Sequence, residues 1–342
     1  MKLAKVIAEM SGNHNGSLEN ALKIVHEVAA TGAHYLKIQT YTADTITLPV
    51  SGGLFEVSAG HELWGSKTLY DLYTEAHTPW EWHKPIFDLS RKLGVVPFST
   101  PFDETAVEFL EELEVPLYKI ASLEIIDTPL IRLVANTGKP MIISTGTATL
   151  GEIEDAVVAA RLGGCNELTL MLCTSSYPAK PIDTHLARIR TLKEMFDVEV
   201  GLSDHTMGIH VAIGAIALGA TLIEKHVTLD RNDGGVDSAF SLEPHELSAL
   251  VIAAEEVSAA IGNSHTWQKS AESESLRHRP SIYITDSVST NQTITLENIR
   301  TVRPSGGLEP KYLDQVLGRK YSKSAKMGTP LSWEMILPSE KD

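Results

Sequence analysis

Short apolar runs rich in β-branched residues alternate with longer amphipathic runs from the N-terminus almost to residue 261. This alternation is typical of repeated βα units. Eight strands are predicted, at residues 5–10, 35–41, 95–100, 117–122, 141–145, 168–174, 198–204 and 221–227. Eight parallel strands with interleaved helices in this length favour a closed (β/α)8 TIM barrel over an open doubly wound sheet. The GxGxxG motif that a dinucleotide-binding fold would carry after its first strand is absent from residues 9–16.

Two segments interrupt the alternation. Residues 42–77 are too long for a plain βα loop, and long excursions on the catalytic side of a barrel are commonly lids or substrate-binding loops. Residues 262–280 are polar and are predicted to be a linker. Residues 281–342 contain short apolar runs, turn residues and no long helical pattern. We therefore predict a barrel at 1–261, a linker at 262–280 and a small β-rich domain at 281–342.

The charge and the cysteine content exclude several classes of protein. With 29 basic and 44 acidic residues, the formal charge of -15 argues against a nucleic-acid or anionic-membrane partner. Only Cys165 and Cys173 are present, so neither a disulfide scaffold nor a structural zinc site is indicated. The N-terminus becomes polar too early for a signal peptide, and the most apolar stretch, 207–223, is shorter than the roughly 20 residues that cross a bilayer. These features predict a soluble, cytoplasmic protein.

Titratable side chains follow the last two predicted strands. Asp204 and His205 end strand seven, and Glu224, Lys225 and His226 end strand eight. Chemistry in a TIM barrel occupies the C-terminal ends of the strands, so the two imidazoles are expected at one mouth. Two neighbouring imidazoles there can hold a divalent metal and leave positions open for substrate and water. The alternative is that each is an ordinary hydrogen-bonded histidine at a strand end.

Lysines and hydroxyl groups recur at the same predicted mouth. They are Lys37, Lys119, Ser122, Ser144, Thr145, Gly146, Ser175, Ser176, Tyr177 and Ser203. Amines, hydroxyls and backbone N–H groups of this kind bind phosphate. The alternative is that Ser and Thr simply favour strand ends and helix caps. Two lysines buried at one mouth would nevertheless be costly without an anion to pair with them.

Carboxylates complete the predicted mouth. Glu9 ends strand one, Glu124 follows strand four and Asp237 follows strand eight, and such acids can bind sugar hydroxyls or position a water molecule. Asp237 would otherwise be a solvated loop residue. The aromatic segment 68–88 is either a sugar-stacking loop or the packed start of a helix. The basic segment 319–326 is interpreted as a solvated surface.

Several motifs resemble the sialic acid synthase family, whose members join phosphoenolpyruvate to an amino sugar. They are "IAEMSGNHNGSLENALKIV", "LKIQTYTADTITL", "PFSTPFDETAVEFLE", "YKIASLEI", "ISTGTATLGEI", "CTSSYP", "GLSDHTMG" and "EKHVTLDR", in that order along the chain. "TVRPSGGLEPKYLDQVLGRK" and "GTPLSWEMI" resemble the family's antifreeze-like (SAF) domain. "TLYDLYTEAHTPWEWH" and "DGGVDSAFSLEP" are more similar to the pseudaminic acid synthases of this family. The neuraminate enzymes tend to carry Gly-Pro-Asp-His in place of "GGVDSAF", and Asn at the position of Ser175.

The resemblance implies a role for individual residues. His205 and His226 match metal ligands, for Mn, Mg or Co. The positions that match the phosphoenolpyruvate site or lie near it are Lys37, Thr100, Lys119, Ser122, Ser144 and Ser203. Ser175 is a further candidate substrate-binding residue. The positions that match the surroundings of the acceptor sugar and the attacking water are Glu9, Gln39, Glu124, Tyr177 and Asp237. Arg303 matches a tail-domain arginine that reaches the sugar in the partner subunit, which implies a domain-swapped homodimer.

The expected reaction is condensation of phosphoenolpyruvate with 2,4-diacetamido-2,4,6-trideoxy-altrose and water, giving pseudaminic acid and phosphate. An N-acetylneuraminate or legionaminate synthase acting on another 2-acetamido aldose is the nearest alternative. A Schiff-base aldolase would use Lys119 or Lys225 as its nucleophile. A carbohydrate-binding or ice-binding module led by the tail domain would leave the acids, lysines and histidines of the barrel unexplained.

Overall fold

The computed structural model describes residues 3–57, 67–263, 265–267 and 269–338. The chain divides into two compact units, Met1–Gly262 and Asn263–Asp342. The first unit contains the predicted barrel. The second contains both the predicted linker and the predicted small domain, so the separate linker at 262–280 stays a prediction.

Eight parallel strands form a closed barrel in the first unit, in chain order, and β1 pairs with both β2 and β8. The strands are β1 (Lys5–Glu9), β2 (Tyr35–Thr40), β3 (Val96–Pro101), β4 (Tyr118–Ile120), β5 (Met141–Ser144), β6 (Leu168–Cys173), β7 (Glu199–Asp204) and β8 (Leu222–His226). The TIM-barrel prediction is confirmed. Every predicted strand has a counterpart in the barrel, and the predicted ends differ from the observed ends by no more than two residues.

Helices follow the strands and cover the barrel. They are α1 (Leu18–Thr31), α2 (Ala43–Ile46), α3 (Leu69–Ala76), α4 (Trp80–Lys92), α5 (Glu104–Glu112), α6 (Thr128–Ala135), α7 (Leu150–Leu162), α8 (Arg188–Phe196), α9 (His210–Ala217) and α10 (Pro244–Ile261). Helix α1 illustrates how the sequence sets the ends. Ser17 Oγ accepts a hydrogen bond from the Asn20 amide at 3.3 Å. Gly32 ends the helix in the left-handed region, at a φ of 80°, which a glycine adopts without strain.

The long excursion after β2 has secondary structure of its own. It contains α2, the 3-10 turn Gly53–Phe55 and α3, while 58–66 lie outside the described residues. The aromatic segment that follows packs as helix: the Trp80 ring stacks on Phe109 at 4.7 Å, and His83 is fully buried. For this segment, the helical interpretation therefore holds over most of its length.

The barrel interior is apolar at one end and polar at the other. Ile7, Phe98, Ile142, Met171 and Leu222 pack together as an apolar floor. Because successive side chains of a strand point to opposite faces, the next inward positions lie one layer nearer the C-terminal ends. Those positions carry polar and charged groups, so the chemistry is concentrated at the mouth.

The second unit is small and contains a two-stranded antiparallel sheet. Strand β9 (Ser281–Ile284) pairs with β10 (Ile299–Val302), and the short helix α11 spans Leu313–Val316. Ile282, Ile294 and Tyr321 are fully buried in its own apolar core. Within the described parts of the chain, no helix has both the length and the apolar composition needed to span a membrane.

Candidate active site

Inward-facing polar residues of the eight strands meet at the C-terminal end of the barrel. The predicted residues that lie there on strands or directly after them are Glu9, Lys37, Gln39, Thr100, Lys119, Ser122, Ser144, Ser175, Tyr177, Ser203, His205 and His226. Most are buried, and their contacts run from strand to strand. Lys37 Nζ, for example, donates to Thr100 Oγ1 at 3.3 Å and links β2 to β3. The strand geometry thus brings these predicted residues together.

Two carboxylates pair with the two buried lysines. Glu224 Oε1 lies 3.3 Å from Lys119 Nζ and 3.5 Å from Lys37 Nζ, and it accepts a hydrogen bond from Ser203 Oγ at 3.1 Å. Glu9 Oε2 lies 3.0 Å from Lys37 Nζ. All four charged side chains are at most 5% exposed. The chain itself therefore provides the anions that these lysines need, and Glu224 is a central residue that the sequence analysis did not assign to the site.

The pKa values of these charged side chains are shifted in different directions. Burial alone would raise the pKa of Glu224, but Lys119 and Lys37 outweigh burial and lower that pKa to about 2. Burial raises the pKa of Glu9, and Lys37 only partly offsets it. Burial also disfavours the charged form of Lys119 and lowers its pKa, although Lys119 contacts Glu224. Glu9 is therefore the carboxyl of this cluster that takes up a proton most readily.

Hydroxyl groups and a backbone amide surround a narrow space beside the lysines. The Gly146 amide donates to Ser122 Oγ at 3.2 Å. A Cβ atom on Gly146 would lie 2.3 Å from Ser175 Oγ and 2.6 Å from Ser122 Oγ, so only glycine fits there. Ser144 Oγ is buried and has no hydrogen-bond partner within the described residues. This arrangement offers several donors to a phosphate group.

The two predicted metal-binding histidines are neighbours at the mouth. Their ring centroids are 5.3 Å apart. His205 Nδ1 lies 3.0 Å from the Thr174 carbonyl oxygen, and donating its proton there leaves Nε2 as a free lone pair. His226 Nδ1 lies 3.5 Å from Asp237 Oδ2, and Asp237 also accepts from Ser11 Oγ at 2.5 Å.

The donor set formed by these two rings fits a divalent cation that keeps several positions for water or substrate oxygens. No cluster of three or more His, Cys, Asp or Glu side chains with the geometry of a metal site occurs in the ranges that the structure describes.

The neighbouring pair Asp204 and Lys225 faces away from the barrel interior. Lys225 Nζ lies 3.1 Å from Asp204 Oδ2 and also donates to the Thr206 carbonyl, and both charged side chains are almost fully buried. The alternation along β7 and β8 puts His205 and His226 inside and these two residues outside. Lys225 is therefore poorly placed to act as a Schiff-base nucleophile at the mouth.

Glu124 and a set of aromatic side chains complete the mouth. Glu124 lies in the 3-10 turn Leu123–Ile126, and burial raises its pKa to about 7. The rings of Tyr41 and Tyr73 are 5.8 Å apart, and Tyr41 also contacts Phe102 at 5.1 Å. The sequence analysis gave no role to Tyr41 or Phe102, and it included Tyr73 only within the aromatic segment 68–88, one interpretation of which was a sugar-stacking loop. Tyr41 was detectable, because it continues the inward alternation of Lys37 and Gln39 along β2.

Arg303 lies directly after β10, in the second unit. Its predicted contact with a sugar bound to the partner subunit stays a prediction.

Comparison with known proteins identifies both units. The profile of the NeuB family matches residues 24–266, and the profile of the SAF domain matches residues 279–337. The chain is 40% identical to the pseudaminic acid synthase of Helicobacter pylori over 97% of each chain. It is 33% identical to the N,N'-diacetyllegionaminic acid synthase of Legionella pneumophila, over 97% of this chain and 94% of that one.

A solved structure has the same fold. The N-acetylneuraminic acid synthetase of Leptospira borgpetersenii, crystallised with citrate, superposes with a TM-score of 0.71 at 33% identity. The superposition covers 80% of this chain and 90% of the Leptospira chain.

Proposed function

The chain belongs to the NeuB family, and we propose that its barrel mouth performs the reaction of a pseudaminic acid synthase. In this reaction phosphoenolpyruvate, 2,4-diacetamido-2,4,6-trideoxy-altrose and water give pseudaminic acid and phosphate. The observation that carries the proposal is the cluster in which Lys37 and Lys119 share Glu224 beside the hydroxyl groups around Gly146. Such a cluster suits a small substrate with two anionic groups.

Phosphoenolpyruvate is proposed to bind deepest in the mouth. Ser122 and Ser144 would donate to its phosphate oxygens, with the Gly146 amide holding Ser122 Oγ in place and with Ser175 and Ser203 at the edges. Lys37 and Lys119 would donate to its remaining anionic oxygens and stabilise their charge through the reaction. Both ammonium groups are already held in place by carboxylates, so little reorganisation is needed when the substrate arrives.

The bond-forming step joins C3 of phosphoenolpyruvate to the aldehyde carbon of the open-chain sugar. Glu9, with its raised pKa, is proposed to protonate the aldehyde oxygen as the new C–C bond forms. Water then adds to the cationic C2 and gives up a proton to Glu124, whose pKa of about 7 suits a base at neutral pH. The tetrahedral intermediate then collapses: the C2 hydroxyl forms the C2 carbonyl, the C–O bond to phosphate breaks, and the hydroxyl proton leaves with the phosphate.

The acceptor is proposed to bind above phosphoenolpyruvate, with Gln39, Tyr177 and Asp237 around its hydroxyl groups. His205 and His226 would hold a divalent cation, Mn, Mg or Co. Bound there, the cation would polarise the aldehyde oxygen.

The resemblance described above further supports a domain-swapped homodimer in which Arg303 reaches the sugar of the partner subunit. Since phosphoenolpyruvate is a cytoplasmic metabolite, we place the reaction in the cytoplasm.

The altrose-configured acceptor is favoured over its alternatives by similarity. The identity to the Helicobacter pylori pseudaminic acid synthase is 40%, against 33% for the Legionella legionaminic acid synthase. The segment 234–241 beside Asp237 is also typical of the pseudaminic branch. Because this segment lies at the mouth, its sequence bears directly on the choice of sugar.

The test is phosphate release from phosphoenolpyruvate with three acceptors: the altrose-configured sugar, its manno-configured relative and N-acetylmannosamine. Each reaction is run without chelator, with EDTA, and with EDTA followed by excess Mn. We expect release with the altrose sugar, lost on chelation and restored by Mn. Release mainly with another acceptor would overturn the sugar assignment. A product trapped on Lys119 by borohydride, with indifference to EDTA, would establish the aldolase instead.

A further inference from the structure

Helix α3 packs against the loop that carries Asp237, one of the residues proposed to bind the acceptor sugar. A Cβ atom on Gly12, in the loop after β1, would lie 2.4 Å from Val236 Cγ2 and 3.2 Å from the Ala76 carbonyl oxygen. Ala76 is the last residue of α3, and Val236 directly precedes Asp237. The C-terminal end of α3 and the side chain of Val236 therefore both pack closely against Gly12. This packing places the end of α3 beside the loop that carries Asp237.

This helix brings an aromatic side chain to the mouth. Tyr73 of α3 contacts Tyr41 edge to face, with the ring centroids 5.8 Å apart, and Tyr41 contacts Phe102 in the same way at 5.1 Å. Tyr41 is 3% exposed, whereas Tyr73 is only partly buried. Tyr41 and Phe102 continue the inward alternation of β2 and β3 above Gln39 and Thr100. We call Tyr41, Tyr73 and Phe102 the aromatic wall.

The wall lies close to the carboxylates of the site. Burial raises the pKa of both phenols, and nearby carboxylates add to that effect: Glu124 for Tyr73, and Asp237 and Glu9 for Tyr41. These electrostatic effects agree with the packing of the end of α3 beside Val236, the residue before Asp237.

The wall lies on the side of the mouth that carries Asp237. Helix α3 packs beside Val236, the residue before Asp237, and Asp237 Oδ2 lies 3.5 Å from His226 Nδ1. An acceptor with its aldehyde oxygen near the imidazoles and its hydroxyl groups at Asp237, as proposed, would continue past Asp237 towards α3. The distal end of the sugar chain would then approach the wall.

The chemistry of the distal end distinguishes the acceptors. The diacetamido-trideoxy sugars carry an acetamido group at C4 and a methyl group at C6, where N-acetylmannosamine has hydroxyl groups. Aromatic faces favour methyl groups, and a phenol hydroxyl can pair with an amide. We propose that Tyr73, supported by Tyr41 and Phe102, selects the acceptor by contacting its 4-acetamido and 6-methyl end. This inference rests on the proposed function and names the part of the substrate that is recognised.

The test replaces Tyr73 by Ala in one variant and by Asn in a second. Asn keeps a polar side chain at this partly exposed position. Tyr70→Phe is the matched control, because Tyr70 lies on the same helix and donates to Asp44 Oδ1 at 3.0 Å, away from the wall. The measured quantity is kcat/KM for the altrose-configured sugar divided by kcat/KM for N-acetylmannosamine. We expect both Tyr73 variants to lower this ratio by roughly tenfold or more, the range in which a pocket senses a single methyl-sized group. The KM for phosphoenolpyruvate should stay within about twofold, and Tyr70→Phe should leave the ratio unchanged.

An unchanged ratio in a folded Tyr73 variant would overturn the proposal, as would an equal loss with both acceptors or a parallel rise in the KM for phosphoenolpyruvate. Failure of the proposed function has a different signature, because the wild-type protein would then not use the altrose sugar. In that case the manno-configured diacetamido sugar is compared with N-acetylmannosamine, since these two differ only at C4 and C6. A ratio that still falls in the Tyr73 variants would support the wall, and a constant ratio would reject it.

Discussion

Replacing Glu224 by Gln removes the carboxylate that both buried lysines of the mouth share. Lys119 would keep no carboxylate within salt-bridge distance among the described residues, and Lys37 would keep Glu9. A buried charge that loses its partner retains the full cost of its desolvation. We therefore expect Glu224→Gln to destabilise the protein in the absence of substrate.

The magnitude follows from the pKa of Glu224, which is about 2 in the folded protein and 4.5 as an ordinary carboxyl. Each unit corresponds to about 1.36 kcal/mol, so the lost stabilisation is roughly 3 kcal/mol, at the lower end of the roughly 3–5 kcal/mol typical of a broken buried pair. Because the folded pKa is lowered, this stabilisation is fully present above about pH 4.5 and is lost as the pH falls towards 2. At about 2–4 °C per kcal/mol, Tm should fall by roughly 6–12 °C at pH 7.

The assay is thermal unfolding of the wild type, Glu224→Gln and the exposed control Glu154→Gln, with and without phosphoenolpyruvate. Two further effects on Tm should accompany the fall in the Glu224→Gln variant. Saturating phosphoenolpyruvate should recover part of the lost Tm, because the substrate returns anionic oxygens to the lysines. The loss should also shrink at alkaline pH, since burial lowers the pKa of Lys119 and lets it shed its charge. A Glu224→Gln variant that melts within about 2 °C of the control at pH 7 would refute the charge-sharing argument.

Three further predictions test other parts of the molecule. His226→Ala should abolish Mn-stimulated phosphate release and weaken Mn binding measured by electron paramagnetic resonance while the protein stays folded; full turnover in metal-free buffer would contradict it. Gly146→Ala should raise the KM for phosphoenolpyruvate at least about tenfold and leave the acceptor KM unchanged, because its methyl group would occupy the space between two serine hydroxyls. Burial lowers the pKa of His14 and His83 to about 4, so the unfolded chain takes up protons at a higher pH than the folded protein does. The free energy of unfolding should therefore fall as the pH is lowered from about 6.5 to 4, by up to about 3 kcal/mol for each histidine. Denaturant titrations at pH 7 and pH 5 that give equal stability would rule this out.

The alternation of strand residues made much of the site predictable. Once β2 and β8 were identified, the period of two placed Lys37 and Gln39 on one face and His226 on another strand of the same mouth. The same rule extends to Tyr41 and Glu224, which the sequence analysis passed over because it treated the ends of the strands as clusters instead of as alternating faces. It also separates Lys225, which points outward, from its two neighbours.

Other parts of the site depend on tertiary packing that a local pattern does not encode. Tyr73 reaches the mouth only because α3 is seated on Gly12, more than fifty positions away in the sequence. Ser11 is hydrogen-bonded to Asp237 across 226 positions. The anions that the buried lysines need could not be identified for the same reason, since Glu9 and Glu224 come from the first and last strands and become neighbours only when the barrel closes.

Binding of phosphoenolpyruvate changes the charge balance among the buried lysines and carboxylates of the barrel mouth. Lys37 and Lys119 balance Glu9 and Glu224, whereas phosphoenolpyruvate brings a carboxylate and a phosphate of about −1.5 to −2 charge. In the metal-free protein the excess negative charge should raise the proton affinity of Glu9 further, because Glu9 is buried and would share Lys37 with the arriving anion. Binding of phosphoenolpyruvate would therefore load the proton that is later given to the aldehyde oxygen, so that the acid is ready before the acceptor binds. Titration calorimetry in buffers of different ionisation enthalpy should detect proton uptake when phosphoenolpyruvate binds, and Glu9→Gln should abolish it. Binding without proton uptake in the wild type would leave Glu9 ionised and remove it from the role of acid.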